Sequence, residues 1–375
     1  MVFPLVLCLA LPAAAQNDSF PRRILKEAID FATSPDRKHD STYVTRPSQR
    51  WSFSLETTLI STGAFLSSDI KRTDYTHPGS SLINGNLENR LQRHLHKKIG
   101  GSVGFGSLSL SSSFEVGSKN PGKNSFMSLA FRQPSFGGRI QYFKLHEYVD
   151  GTLVTDDMAS PISFTSNYPG TMRTLTVDAY YLVNHREFTY TAATDGNYIQ
   201  HRSAGSWMAI AKYMQGDMSF DPKEEFMLSF SSGLRRYTSQ QVCLGAGYSY
   251  NWVPFYRVSS DVVSSKGYRN LTMFLSVIPM ASLFNHVTAY SIRQDGDSSG
   301  KSKVDGSIVP VFTVRAGVNF SWDRFAVVAT AGYNRFGFRG TPLSILDENK
   351  SFKTSIDSRG VFDDLTAKMS IIVRL

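Results

Sequence analysis

The run Gly100-Gly101-Ser102-Val103-Gly104 has the spacing of a nucleophile elbow. In such an elbow the serine sits on a strained strand-to-helix turn that exposes its hydroxyl beside oxyanion-binding N–H groups. Here the run lies in a Gly/Ser-rich β segment, and another strand pattern follows it. The glycines are read as strand curvature, and no catalytic residue is assigned. His94 and His96 share one strand face by period two and could present two imidazoles to a metal. They fall in the basic stretch 90–98, where Lys97 and Lys98 repel a cation, so the pair is read as part of a solvated loop base. Asp295-Gly296-Asp297-Ser298-Ser299-Gly300 opens like a calcium loop. The position that needs a bidentate acid is Gly306, and Lys301 and Lys303 follow, so an exposed turn is expected. No metal and no cofactor is expected.

Two sets of charges remain: Arg90, Arg93, Lys97 and Lys98, and then Arg139, Asp178, Arg315, Lys368 and Arg374. What they could bind depends on the elements that carry them. The net charge is +9, which in a cytosolic protein would point to nucleic acid.

The N-terminus argues against the cytosol. An apolar run over 2–11 precedes Ala13-Ala14-Ala15, an A-x-A-like cleavage site, so 1–15 is expected to be a signal peptide. No Lys or Arg precedes the run, and the true start is allowed to lie upstream. Cys8 falls inside the run, which leaves Cys243 as the sole cysteine after cleavage and excludes an intramolecular disulfide. The apolar run is too short for a membrane helix, which needs about 20 residues, and no later stretch approaches one. If the mature chain crosses a membrane, a closed β-barrel is the remaining form, because hydrocarbon leaves no partner for an unpaired backbone group.

Alternation supports that form. Leu175, Val177, Ala179, Tyr181 and Val183 oppose Thr174, Thr176, Asp178 and Tyr180. Leu244, Ala246, Tyr248, Tyr250 and Trp252 oppose Cys243, Gly245, Gly247, Ser249 and Asn251. Similar rows occupy 107–116, 312–320 and 364–375. Other strands are less regular: Met208 and Ile210 sit opposite Trp207 and Ala209, apolar on both faces, and Pro279 interrupts 270–292. Short turns are expected near Phe105-Gly106, Pro134-Ser135, Val253-Pro254 and Trp322-Asp323, with long loops at 66–96, 150–171, 216–238, 293–306 and 338–361. Trp51, Tyr250, Trp252, Phe320 and Trp322 stand near strand ends as an interfacial girdle. Tyr248 and Tyr250 are expected to cover the Gly245 and Gly247 kinks. The fold class is all-β, a transmembrane antiparallel up-and-down barrel of about 12 strands, or 14 if 270–292 splits and 255–266 adds one. Residues 16–48 form a periplasmic segment with a short helix over 19–34, and 49–375 the barrel. A secreted β-sandwich is the alternative; it predicts shorter strands, of about 5–6 residues.

Four stretches carry a resemblance: Asp40-Ser41-Thr42-Tyr43-Val44, Arg202-Ser203-Ala204-Gly205-Ser206-Trp207, Gly245-x-Gly247-Tyr248-x-Tyr250-Asn251, and Asp323-Arg324-Phe325. On these the chain, over about 20–375, resembles an uncharacterised family of Bacteroidota outer-membrane barrels classed as a domain of unknown function. It departs from the pattern in ending on Leu375 and in the insert 255–269. The resemblance implies fold and location, and no activity or functional residue.

Within a barrel, Arg139, Asp178, Arg315, Lys368 and Arg374 become candidate lumen-lining residues, and Arg90, Arg93, Lys97 and Lys98 a basic loop facing lipopolysaccharide phosphates. Expected partners are outer-membrane lipid, lipopolysaccharide and, during insertion, the barrel-assembly machinery, with no nucleic acid; the oligomeric state is open. The function expected is binding or passage of small, anionic molecules without catalysis. A lipid-modifying barrel enzyme and a structural or adhesion barrel acting through its loops are the alternatives.

Overall fold

The computed structural model describes residues 39–74, 81–91, 95–117, 124–155, 160–221, 223, 234–258, 267–292, 299–305, 309–339, 343–346 and 352–375. The proposed signal and the helix expected at 19–34 lie outside them, as do Arg93, His94 and most of the calcium-like loop. In chain order the strands are β1 (Val44–Thr45), β2 (Trp51–Asp74), β3 (Ser81–Leu91), β4 (Leu95–Phe105), β5 (Leu108–Glu115), β6 (Ser125–Arg132) and β7 (Phe136–Glu147). Next come β8 (Val149–Thr155), β9 (Ile162–Thr165), β10 (Gly170–Leu182), β11 (Ile199–Gln200), β12 (Ala204–Ser219) and β13 (Leu234–Val258). The last are β14 (Tyr268–Ile292), β15 (Ser299–Asp305), β16 (Pro310–Trp322), β17 (Phe325–Arg339), β18 (Leu343–Leu346) and β19 (Phe352–Arg374).

Among the described residues, twelve of these strands close a ring. The neighbour order is β2, β4, β5, β6, β7, β10, β12, β13, β14, β16, β17, β19, and β19 pairs back to β2. Every pairing in the ring is antiparallel. Closure leaves no unpaired edge, which is what hydrocarbon demands of a sheet. The remaining long-loop strands extend the sheet past the ring: β3 on the far end of β2, β8 on β3, β9 on β8, β15 on β14 and β18 on β19.

Period two then sorts side chains into two populations. Outward rows are apolar and solvent-exposed in the isolated chain: Leu55 is 65% exposed, Trp207 63% and Leu283 58%. At the short-turn rim the outward residues are aromatic, with Trp51 against Phe105 (centroids 4.7 Å apart) and Trp207 against Tyr248 (5.5 Å). An exposed apolar band ending in aromatic rings is the surface a lipid bilayer accepts.

The tight turns at 106–107, 133–135 and 323–324 fall where alternation breaks. Gly106 (φ 59°) and Asp323 (φ 48°) supply the left-handed positions. Four expectations are corrected. Val253-Pro254 is not a turn: it lies inside β13, where the register slips between Trp252 and Phe255, a bulge that spares proline its missing N–H. Nor does Pro279 break β14; it pairs with Phe312 on one side, while the ladder to β13 passes from Met280 to Val277 without it. The span 66–96 is mainly strand, because β2 runs on to Asp74 and β3 returns along it. Tyr248 and Tyr250 cover Gly205 on the adjacent β12 instead of Gly245 and Gly247, since cross-strand neighbours and not chain neighbours share a face.

Candidate functional site: a chamber in the barrel

Register places inward side chains in rows. Arg139, Asp178 and Lys212 face one another across β7, β10 and β12. Arg139 Nη2 donates to Asp178 Oδ2 at 2.9 Å, and Lys212 Nζ stands 3.8 Å from the other oxygen. Arg315 reaches the same carboxylate at 3.5 Å from β16, which is not a neighbour of β10. That contact therefore crosses the lumen. Two more crossings run from Lys212 Nζ to Asn334 Oδ1 on β17 (3.3 Å) and from Gln241 to the Gly337 carbonyl. Asn334 in turn accepts from Thr313 at 2.9 Å and donates to Asp364 at 3.0 Å.

The connection 183–203 joins β10 to β12 at the short-turn rim, yet it is long and buried. Phe188, Ala192, Ala193 and Gln200 are 0% exposed. It folds up into the barrel, and each buried polar group it carries needs a partner there. The barrel wall supplies them. Asn251 donates to the Thr189 carbonyl (2.7 Å), Asn319 to the Ala192 carbonyl and Arg374 Nη2 to the Gly196 carbonyl (2.8 Å). Arg315 Nη1 donates to the Tyr190 hydroxyl at 2.9 Å, and Arg132 Nε meets Asp195 Oδ2 at 2.8 Å. Burial pushes the Asp195 carboxyl up, but Arg132 and Lys368 together with the Thr194 hydroxyl outweigh it and hold the group below its ordinary value. Gly196 adopts φ +65° as the chain leaves the turn 191–196, and a Cβ there would meet Arg374 Nη2 at 3.0 Å.

At the foot of this segment β11 pairs with β1, so 40–45 is stitched to the same rim. Thr45 Oγ1 lies 2.7 Å from His201 Nε2, and the His201 ring stacks on Tyr256 at 4.0 Å. Burial pushes the His201 pKa below its ordinary value. All four stretches that carry the family resemblance meet here. Asp40-Ser41-Thr42-Tyr43-Val44 supplies β1; Gly205 and Ser206 hold Asn184 at the segment's entrance; Asn251 holds Thr189; and the Asp323 carbonyl accepts from Arg374.

Above this floor lies a cavity of about 280 Å³. Tyr190, Thr194 and Asp195 of the inward segment line it from below. One wall is β4 to β6, where a patch of inward residues between Phe126 and Arg132 is small: Gly100, Ser102, Ser109, Ser111, Ser113 and Ser128. Side chains this short leave the lumen unfilled, which is why the space is on this side. Around Lys212 the lining turns apolar, with Met208, Ile210 and Met214 on β12, Met172 on β10 and Phe336 on β17. These belong to the buried apolar cluster of the barrel interior. Arg132, Arg139, Lys212, Arg315 and Lys368 line the cavity, and so do Glu56, Asp178, Asp195, Asp363 and Asp364. The ionisable lining is balanced in sign.

The sequence-derived residues divide as follows. Arg139, Asp178, Arg315 and Lys368 line the chamber, Lys368 paired with Glu56 at 3.2 Å. Arg374 does not: it is buried at the short-turn rim, bonded to Tyr268 and to Gly196. Arg90 is exposed on β3 with its guanidinium 5.1 Å over Phe65, and Lys97 is exposed on β4. Lys98 is corrected from loop to interior. It is 0% exposed, with Nζ 4.2 Å over the Phe143 ring, because period two turns it inward beside His96. His96 is likewise no solvated loop residue: its two nitrogens lie 2.8 Å from Glu115 and 2.9 Å from Glu147. Such a bridge satisfies both carboxylates as the imidazolium, or with one carboxyl carrying the proton. Among the described residues, no group of three metal-ligating side chains has the geometry to hold an ion. Ser102 sits mid-strand, 2.7 Å from Ser54 Oγ.

Sequence reasoning missed Arg132, Lys212, the inward segment and the methionine wall. A signal for the wall was present: Met208 and Ile210 share the face of β12 opposite Trp207 and Ala209, and in a barrel one of two apolar rows on a strand has to face the lumen.

A family model described as Domain of unknown function (DUF4421) matches residues 38–357. No curated protein matches the sequence. Among solved structures, the outer membrane protease OmpT from Escherichia coli is 11% identical, with 86% of this chain and 97% of that chain covered and a TM-score of 0.22. The P. putida toluene transporter TodX is 7% identical over 93% and 98%, at 0.22. The beta domain of the Bordetella autotransporter BrkA is 8% identical over 84% and 99%, at 0.25. Similarity at these scores carries no argument about function; the barrel rests on the strand pairing above.

Proposed function

The chain belongs to the DUF4421 family of domains of unknown function, and on that premise we propose that it is an outer-membrane β-barrel that holds a small molecule, without covalent chemistry, in a chamber closed at one end. The observation that carries this reading is the inward segment 183–203, pinned to the wall by Asn251, Arg315, Asn319, Arg132 and Arg374 and forming the chamber floor. The exposed apolar belt and aromatic rim support the membrane location. Outer-membrane barrels keep short turns on the periplasmic side, so the floor faces the periplasm and the chamber the exterior. Export through a cleaved signal peptide completes this location. Exposure of Arg90 and Lys97 toward the long-loop end supports contact with lipopolysaccharide phosphates.

The anionic preference is not carried forward, because the lumen cations face an equal number of carboxylates. Reaction chemistry finds little support: Ser102 bonds another serine in mid-strand, and the Thr45–His201 contact lies at the short-turn rim, outside the chamber. A structural or adhesive role is the second reading, favoured by β3, β8 and β9, which build sheet beyond the barrel. Planar-bilayer recording tests the first reading. The intact protein is expected to show no steady conductance; an ohmic pore would overturn it.

A further inference from the structure

The two walls of the chamber differ in chemistry, and a ligand must match both. Met208, Ile210 and Met214 give one side polarisable, deformable apolar contact. Ser102, Ser111 and Ser128 give the other side hydroxyls that both donate and accept. A wholly polar ligand would leave the methionine wall against water-seeking groups. A wholly apolar one would strip water from the serines without replacing it, which costs free energy for each unpaired hydroxyl.

The cations do not offer a free anion site. Arg132 is held by Asp195, Arg139 by Asp178 and Lys368 by Glu56. Arg315 is shared between Tyr190 and Asp178, and Lys212 between Asn334 and Asp178. A ligand carboxylate would have to displace a resident one, and the displaced group would stay in the same enclosed space. Separating such a partly buried pair is costly.

We infer that the chamber takes a small uncharged amphiphile, its apolar face on Met208, Ile210 and Met214 and its hydroxyl or amide groups on Ser102, Ser111 and Ser128. This rests on the closed-chamber reading and adds the ligand's class to it. At about 280 Å³ the cavity falls just below the roughly 300–1,000 Å³ usual for ligand pockets, which suits a single ring or short chain with one polar group.

The test uses the full chain folded in lipid nanodiscs, with empty nanodiscs as the reference for partitioning. Fluorine NMR line broadening is read for para-fluorobenzyl alcohol and for para-fluorobenzoate, which share a ring and differ in charge. The alcohol is expected to broaden beyond the empty-disc value and the benzoate is not. Ser111→Leu combined with Ser128→Leu fills the space from the serine wall and should abolish the effect. Met214→Gln, a near-isosteric change on the apolar wall, should weaken it. Retained heat-modifiable migration on gels shows that each variant is folded. Preference for benzoate, absence of broadening by the alcohol, or broadening unchanged in both folded variants overturns the inference. Steady conductance with alcohol binding retained would instead overturn the closed-chamber reading alone.

Discussion

Arg315 on β16 crosses the lumen to donate from Nη1 to the hydroxyl of Tyr190, 2.9 Å away on the inward segment. The same guanidinium touches Asp178 at 3.5 Å on the far wall. One side chain thus ties two sides of the barrel and its floor together. Replacing it with Gln removes the tie but leaves Arg139 and Lys212 on Asp178. We expect Arg315→Gln to lower stability by about 2–3 kcal/mol, less than the full cost of orphaning a buried charge. The urea midpoint of the folded band on unboiled gels measures this; an unchanged midpoint would contradict it.

Gly196 is held at φ +65° with Arg374 beside it. Alanine there is strained by the backbone conformation and crowds Nη2. Gly196→Ala is expected to cost about 1–2 kcal/mol and to expose the segment to protease before the barrel unfolds. Limited proteolysis with mass mapping between 183 and 203 checks the order of events.

Acid should loosen the rim through His201. Burial holds its folded-state pKa below the unfolded value of 6.5, so the fold favours the neutral ring. The unfolded or detached state then binds more protons. The contact's contribution is whole above pH 6.5 and is lost as the pH falls below it. The protection factor of the amide at position 201, which donates to the Tyr43 carbonyl, is expected to fall between pH 7.5 and about 5.5 once the intrinsic slowing of exchange in acid is divided out. His201→Gln should flatten that dependence; an equal acid response in the variant would remove His201 as its cause.

The container was legible in the sequence because its signal is local. Leu244 through Trp252 alternate with Cys243 through Asn251, and this period decides which residues face lipid whatever the rest of the chain does. The turns at Gly106 and Asp323 were legible for the same reason. Lys98 was misread because its basic neighbours suggested a loop, while its parity, shared with His96, turns it inward. Arg374 has the right parity for the lumen, but its height along the barrel decides what it meets, and height depends on the register of the whole ring. The inward segment was invisible: Phe188, Tyr190 and Ala192 alternate with Thr189 and Thr191 as a half-exposed strand would, yet all five are buried. Their burial comes from contacts with Asn251, Arg315 and Asn319, which lie far along the chain. The chamber follows from the same long-range facts, since the order of strands in the ring decides that the serines of β4 to β6 and the methionines of β12 line one space.

Conductance tests the central claim most directly: the barrel is closed by its own chain. In planar bilayers the intact protein is expected to give no steady current. A variant in which a short Gly-Ser link replaces residues 188–198 is expected to give a steady ohmic one, because the floor that carries Tyr190 and Asp195 is gone. A steady current of equal size from both proteins would contradict the claim.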